Sequence, residues 1–469
     1  MRPTAPQPAD PGRPPASDDP GRPPAPDPVR LRVLHPAGPE VPDPDSVDLT
    51  DPRTFTRPDL RAIWARFRAE RPVHLHRATP GAPPFWVLSR HADVVAVYRD
   101  DKRFTSERGN VLATLLQGED SASGKMLAVT DGPRHREIRN LMLKSFSPRV
   151  LAPVVEGVNL RTAALLDEAL HRGAFDFVVD LADHIPINTI GDLMDVPVGD
   201  REQLVHWNTM TLSRTSEEHG AEEEWLARNE ILLYFSGLAA QRRRHPGEDV
   251  ISALATGTVD GRLLTEDEIV FNCYSLILGG DESSRMSSVG AVIALAEHPD
   301  QWKALKEGAV DTATATEEVL RWTTPAMHFG RRALTDVEIR DRTIAAGDVV
   351  TLWNSAANFD EEVFTDPERF DLARTPNKHV AFGHGPHFCI GAFLGRTHVE
   401  AMLRALRDKA GDLELLGSPR LLHSNFVYGY TSLPVRIHRP TPHGADGISP
   451  VSAAPATVER TRESATDGK

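Results

Sequence analysis

From Pro133 onward the chain is dominated by helical periodicity, and that bias narrows most what it can fold into. Residues 134–144, 154–172, 222–244, 265–297, 299–307, 313–322 and 391–409 carry apolar positions at helical spacing, several opening at Asp, Thr or Pro. Strand signals are fewer and short: residues 84–88, 337–339, 349–352 and 433–437, near the two ends of the chain. The expectation is a mainly α fold, one large helical domain with small β-sheets near the ends. Such a pattern excludes an alternating strand–helix barrel and a doubly wound nucleotide-binding sheet, and no Gly-rich phosphate loop stands between a strand and a helix.

The boundaries of that domain come from composition. Residues 1–30 are about one-third proline and repeat the heptapeptide Asp-Pro-Gly-Arg-Pro-Pro-Ala, so they offer little to bury and read as a disordered tail. Residues 439–469 read as a second tail, which leaves 31–438 as the catalytic domain. Lys plus Arg is 53 against 67 Asp plus Glu, a net charge of −14, which argues against a nucleic-acid or anionic-membrane scaffold. No run of 18 apolar residues and no secretory leader is present, so a cytoplasmic location without a membrane partner is expected.

Only Cys273 and Cys389 exist, too few for a disulfide framework, a multi-cysteine zinc site or an iron–sulfur cluster. A lone cysteine is more often a buried structural residue than a ligand. Cys389 differs in its surroundings. It ends the run Ala-Phe-Gly-His-Gly-Pro-His-Phe-Cys at residues 381–389 and precedes a helical stretch, so a helix N-terminus and a glycine-rich turn would favour its thiolate. Gly383, Gly385 and Gly391 let backbone approach a planar ligand, and Phe382 can cover the sulfur. One thiolate with no second cysteine nearby suits a haem iron better than zinc or a cluster.

The pattern Phe382-Gly383-x-Gly385-x-His387-x-Cys389-x-Gly391 resembles the haem-binding signature of the cytochromes P450, in their bacterial, soluble branch. The resemblance covers residues 51–437 and implies the P450 fold, haem b held through the Cys389 thiolate, and dioxygen as co-substrate. Electron donation from the sulfur then favours O–O cleavage, with Phe382 tuning it. By the same likeness Glu318 and Arg321 match the family's Glu-x-x-Arg motif, and Arg369 matches the third member of its buried cluster. His135 and Arg139, one helical turn apart, match propionate-binding positions, as do Arg331 and His387.

Residues 278–284, Leu-Gly-Gly-Asp-Glu-Ser-Ser, interrupt a long apolar helical stretch. Two glycines weaken a helix by about 1 kcal/mol each relative to Ala, and room for a cofactor or dioxygen would explain both Gly279 and Gly280. Glu282 and Ser283 resemble the family's acid–alcohol pair, which moves protons. The sequence departs from the family here, since Thr is usual where Ser283 stands. It departs again at Phe359, where Arg is usual.

What the resemblance implies is a monooxygenase that hydroxylates or epoxidises a small molecule, free or carrier-bound. The Ala, Arg and Pro usage is like that of actinobacterial enzymes of secondary-metabolite and antibiotic biosynthesis. Electrons would come from NAD(P)H through separate ferredoxin reductase and ferredoxin proteins, docking on a basic face that includes Arg134, Arg136, Arg139, Lys144 and Arg149. Substrate-facing segments would be residues 110–127, Leu276 with Gly279, 325–329 and 426–428. Oxidative coupling or dehydrogenation at the same haem, and a non-catalytic haem sensor, are the competing functions. The acid–alcohol pair argues against the sensor.

Overall fold

The computed structural model describes residues 41–77, 82–118, 120–211 and 221–440. The Pro-rich tail expected at 1–30 lies outside the described residues, as does the second tail beyond Arg439 and Pro440.

The expected helices are present as Gly132–Leu143, Pro148–Arg172, Ala221–Arg244, Glu266–Glu297, Pro299–Lys306, Thr312–Thr323 and Ala392–Lys409. Among the described residues seven further helices escaped the periodicity: Leu60–Glu70, His91–Arg99, Leu112–Gln117, His184–Leu193, Val198–Thr211, Val250–Thr256 and Asn354–Ala357. Among the described residues no helix is long and apolar enough to cross a membrane.

The spine is Glu266–Glu297, 32 residues. It spans about 48 Å at a rise of 1.5 Å per residue. Its start is set by a reciprocal cap: Glu268 N donates to Thr265 Oγ1, and Thr265 N donates to the Glu268 carboxylate at 2.6 Å. Arg262 and Arg134 also donate to that carboxylate. Toward its C-terminal end Val289, Val292 and Leu295 are fully buried with Leu166, Leu403 and Leu406, the main core. The helices Ala221–Arg244, His184–Leu193, Thr312–Thr323 and Ala392–Lys409 all pack on this spine. Burial on all sides explains why its amphipathicity is weak although its helical run is long.

The two glycines of the spine have different causes. A Cβ on Gly280 would stand 2.8 Å from Ile190 Cδ1, so Gly280 permits close packing of the spine on His184–Leu193. A Cβ on Gly279 would meet nothing within 4 Å. Only Gly279 borders open space, which corrects the expectation that both glycines make room for a ligand.

The larger sheet has the strand order Val73–His76, Phe85–Leu88, Val349–Trp353, His328–Ala333, Phe104–Thr105, and a second sheet joins Leu413–Leu415, Pro434–Ile437 and Ala174–Asp176. His328–Ala333 matters most for the site. The Leu112–Gln117 helix is pinned to it, because Leu112 N donates to His328 Nε2 at 3.2 Å and Arg332 Nη2 donates to Leu115 O at 3.2 Å. Alternation along the strand sends Phe329 and Arg331 to the opposite face.

Candidate functional site

The loop that ends in Cys389 is a compact set of turns. Gly383 and Gly385 adopt φ of 68° and 70°, and a Cβ on Gly385 would lie 2.3 Å from the Tyr98 carbonyl oxygen. No other residue type fits there. Gly391, the third glycine, has an ordinary φ of −87°. Its amide instead points to the Cys389 sulfur. Cys389 N donates to Phe382 O at 3.0 Å, which closes the loop, and the Phe382 ring meets Phe388 edge to face at 6.2 Å. Gly395 makes room for that ring, since a Cβ there would come within 3.0 Å of it.

Burial pushes the Cys389 thiol above its ordinary value, while the Gly391 amide and the cations of Arg139 and Arg396 pull it down. The helix-terminus argument therefore loses to desolvation in the metal-free chain. A bound metal cation would supply the missing charge and deprotonate the sulfur outright.

Four cationic or protonatable side chains converge on the same region. Arg331 is 5% exposed, donates through Nη1 to Gly330 O at 2.7 Å and lies over the Tyr98 ring, yet has no carboxylate partner among the described residues. Burial lowers its pKa. Arg139 is half-buried with no ion pair among the described residues, and feels the Cys389 sulfur. His135 is 2% exposed and its Nε2 has no hydrogen-bond partner. Burial, with His387 and Arg139 nearby, brings it down to about 4, so it is neutral at pH 7. Its ring centroid is 4.3 Å from that of His387.

His387 is anchored by Asp131, the residue just before the Gly132–Leu143 helix. The Asp131 carboxylate makes no cap; it accepts from Thr105 Oγ1 at 2.6 Å, Ser106 N at 2.7 Å and His387 Nε2 at 2.8 Å. Burial alone would raise Asp131, but these bonds outweigh it and hold the carboxyl at about 2. An ionised Asp131 requires the proton on His387 Nε2, leaving Nδ1 as the second ring position.

Buried cations without carboxylates, an unpartnered imidazole nitrogen and a cysteine between them are costly in a finished protein. A group that is planar, dianionic at its edge and metal-centred answers all three, so the residues present fit a haem.

Glu282 and Ser283 part company in the structure. Ser283 is half-buried, and its hydroxyl donates to Gly279 O at 2.9 Å, beside the open space at Gly279. Glu282 is 2% exposed and paired with Arg285, whose Nη1 in turn reaches Asp183 Oδ1 at 2.8 Å. Phe329 and Phe426 meet edge to face at 5.7 Å, which brings together residues from two of the expected substrate-facing segments.

One expectation is overturned. Arg369 is exposed and contributes only its backbone carbonyl to Arg321 and Arg374. Arg374 fills the third place: its Nε donates to Glu318 Oε2 at 3.1 Å, beside the fully buried Glu318–Arg321 pair at 2.8 Å. Asn377 Nδ2 and Asp371 N donate to the same glutamate, which accounts for a buried carboxylate that the loop folds around. The expected basic face also shrinks, because Arg134 pairs with Asp260 and Glu268, and Arg149 with Glu248.

Comparison with known proteins agrees with this geometry. A family model described as Cytochrome P450 matches residues 238–406. "Cytochrome P450 NovI" of Streptomyces niveus is 47% identical over 393 residues, covering 84% of this chain and 97% of the relative. "Steroid C26-monooxygenase" of Mycobacterium tuberculosis is 31% identical over 412 residues, covering 86% and 95%. Among solved structures, that of "P450 OxyD that is involved in the Biosynthesis of Vancomycin-type Antibiotics" superposes with a TM-score of 0.77 at 32% identity, covering 84% of this chain and all of the other. The chain belongs to the cytochrome P450 family of haem-dependent monooxygenases.

Proposed function

We propose that this P450 inserts one oxygen atom from O2 into a C–H bond or alkene of a small organic molecule and thereby tailors a secondary metabolite. The observation that carries the reading is the set Arg331, Arg139 and His135, cationic or donor groups buried without anionic partners around Cys389. In this reading Cys389 would hold the haem iron through its thiolate, and His135, Arg139, Arg331 and His387 would hold the propionates, as charge-assisted hydrogen bonds are strongest where water is excluded. When bound, haem b supplies the dioxygen-activating chemistry.

The chain's own part is to place protons and exclude water. Ser283 Oγ sits beside the open space at Gly279 and offers a proton there; its resting bond to Gly279 O keeps the hydroxyl satisfied between turnovers. For Glu282 to re-protonate it, the carboxylate must leave Arg285 and take up a proton from water, since an ion-paired carboxylate has none to give and arginine does not release its own. Phe329 and Phe426 supply an apolar wall for substrate. Electrons arrive from NAD(P)H by way of a ferredoxin reductase and a ferredoxin, in the cytoplasm. Arg136 and Lys144, exposed and without ion pairs among the described residues, are the cations left for such docking.

The involvement of OxyD in the biosynthesis of vancomycin-type antibiotics supports a secondary metabolite as the substrate class. The deciding experiment is the reduced, carbon-monoxide-bound absorption spectrum of the parent, Cys389→Ser and Cys273→Ser. Loss of the thiolate signature in Cys389→Ser and its retention in Cys273→Ser are expected. A thiolate signature surviving Cys389→Ser would end the assignment.

A further inference from the structure

Adjacent glutamates on the Thr312–Thr323 helix serve separate networks. Glu318 is the buried hub described above. Glu317 accepts a bidentate pair from Arg396, Nε to Oε1 at 2.7 Å and Nη2 to Oε2 at 3.0 Å, and its Oε2 lies 3.1 Å from His379 Nε2. Arg396 stands one turn into the Ala392–Lys409 helix that follows Cys389. Its guanidinium carbon is 4.6 Å from the centroid of Phe382, the residue whose carbonyl oxygen accepts from Cys389 N. The His379 ring lies 6.1 Å from the same ring. Arg396 also acts on the Cys389 sulfur through space, favouring its charged form.

A cross-link between these two helices could be made at many points along them. It is made where the cation rests on Phe382, whose backbone is bonded to that of Cys389. We propose that the Glu317–Arg396 pair sets the reduction potential of the cofactor held by Cys389, Arg396 raising it and Glu317 restraining that effect. The inference rests on Cys389 being the haem ligand.

The physics fixes the signs. A cation near a centre that gains an electron stabilises the reduced form and raises the potential; a carboxylate lowers it. Both side chains are about one-third exposed, 36% for Arg396 and 29% for Glu317, so solvent screens the effect without removing it. A purely mechanical cross-link has no such sign, because loss of either partner loosens the same two helices in the same way.

The test is the midpoint potential of the full-length, haem-loaded protein, measured by spectroelectrochemistry alongside the carbon-monoxide spectrum. Arg396→Gln is expected to lower the equilibrium constant for reduction by about threefold or more, and Glu317→Gln to raise it by a similar factor; tenfold corresponds to about 59 mV for one electron. Arg396→Lys, which keeps the charge and loses the bidentate fork, should stay close to the parent. Glu317→Gln retains a hydrogen-bonding partner for Arg396, so it decides the matter alone if Arg396→Gln loses haem. Shifts of the same sign in both Gln variants, or no shift in Glu317→Gln, would overturn the proposal. A parent lacking the thiolate signature would instead overturn the Cys389 assignment, so the two failures are distinguishable.

Discussion

The Ser283 hydroxyl donates to the Gly279 carbonyl oxygen at 2.9 Å, one turn back along the same helix and next to the open space where Gly279 lacks a side chain. A hydroxyl parked in this way is oriented, ready and satisfied. Serine keeps the donor of the usual threonine but lacks the methyl that restricts its rotamer. Ser283→Ala should bind substrate normally yet divert NAD(P)H electrons into hydrogen peroxide, lowering product formation by roughly 10²- to 10⁴-fold if the hydroxyl carries the proton. Ser283→Thr should match or improve the parent. Product and peroxide per NAD(P)H consumed are the measurements. Full coupling in Ser283→Ala, with substrates that bear no hydroxyl, would remove Ser283 from the mechanism.

Arg374 and Arg369 offer a contrast that only the folded chain could set up. Arg374 completes the charge balance of a Glu318 that is fully buried, so Arg374→Ala leaves that carboxylate short of a cation and should cost about 3 kcal/mol or more, with weaker haem retention. Arg369→Ala truncates an exposed side chain and should stay within about 0.5 kcal/mol. Urea unfolding of both variants checks this. Equal destabilisation would return Arg369 to the cluster.

The same contrast shows what could be read in advance. Cys389 and its glycines were legible because all the constraints fall within ten residues, and Glu318–Arg321 because three-residue spacing on a helix places both on one face. Arg369 and Arg374 are both near Glu318 in the fold and both lie in irregular chain, where no periodicity says which side chain turns inward. Asp131 stands where Asp commonly caps a helix, just before Gly132, but its carboxylate accepts from Thr105, Ser106 and His387 instead, partners that sequence spacing does not reveal. The strand His328–Ala333 was missed because three of its six residues are His or Arg, a composition that hides burial on both faces. Gly279 and Gly280 gave one signal with two causes, and only the Ile190 contact separates them.

Arg331 is nearly inaccessible and has no carboxylate partner among the described residues, so its burial in the apoprotein is unfavourable, and the partner proposed for it is a haem propionate. Arg331→Ala should therefore accelerate haem transfer to an apo-globin acceptor, corresponding to about 2 to 5 kcal/mol of lost interaction. The apoprotein should be no less stable than the parent apoprotein, since an uncompensated charge has been removed. A structural arginine would behave the other way round: apo stability would fall while haem loss stayed unchanged.

Glu268 gives a pH dependence with a defined sign. The hydrogen bonds and charge of Arg262, together with the Thr265 amide and Arg134, outweigh burial and hold this carboxyl at about 2. An unfolded glutamate titrates near about 4.3. The folded value is the lower one, so the ionised form stabilises the fold at every pH above the unfolded value, and this stability is lost as pH falls through about 4 towards 2. Glu268→Gln keeps the shape of the cap but not the charge. At pH 7 it should be less stable than the parent by about 1 to 3 kcal/mol. The gap should stay constant from about pH 7 to 5 and close below about 4.5. Urea unfolding of both proteins across that range is the measurement; a gap that persists unchanged to pH 3 would mean that the start of the central helix is held by shape and not by the ionised carboxylate.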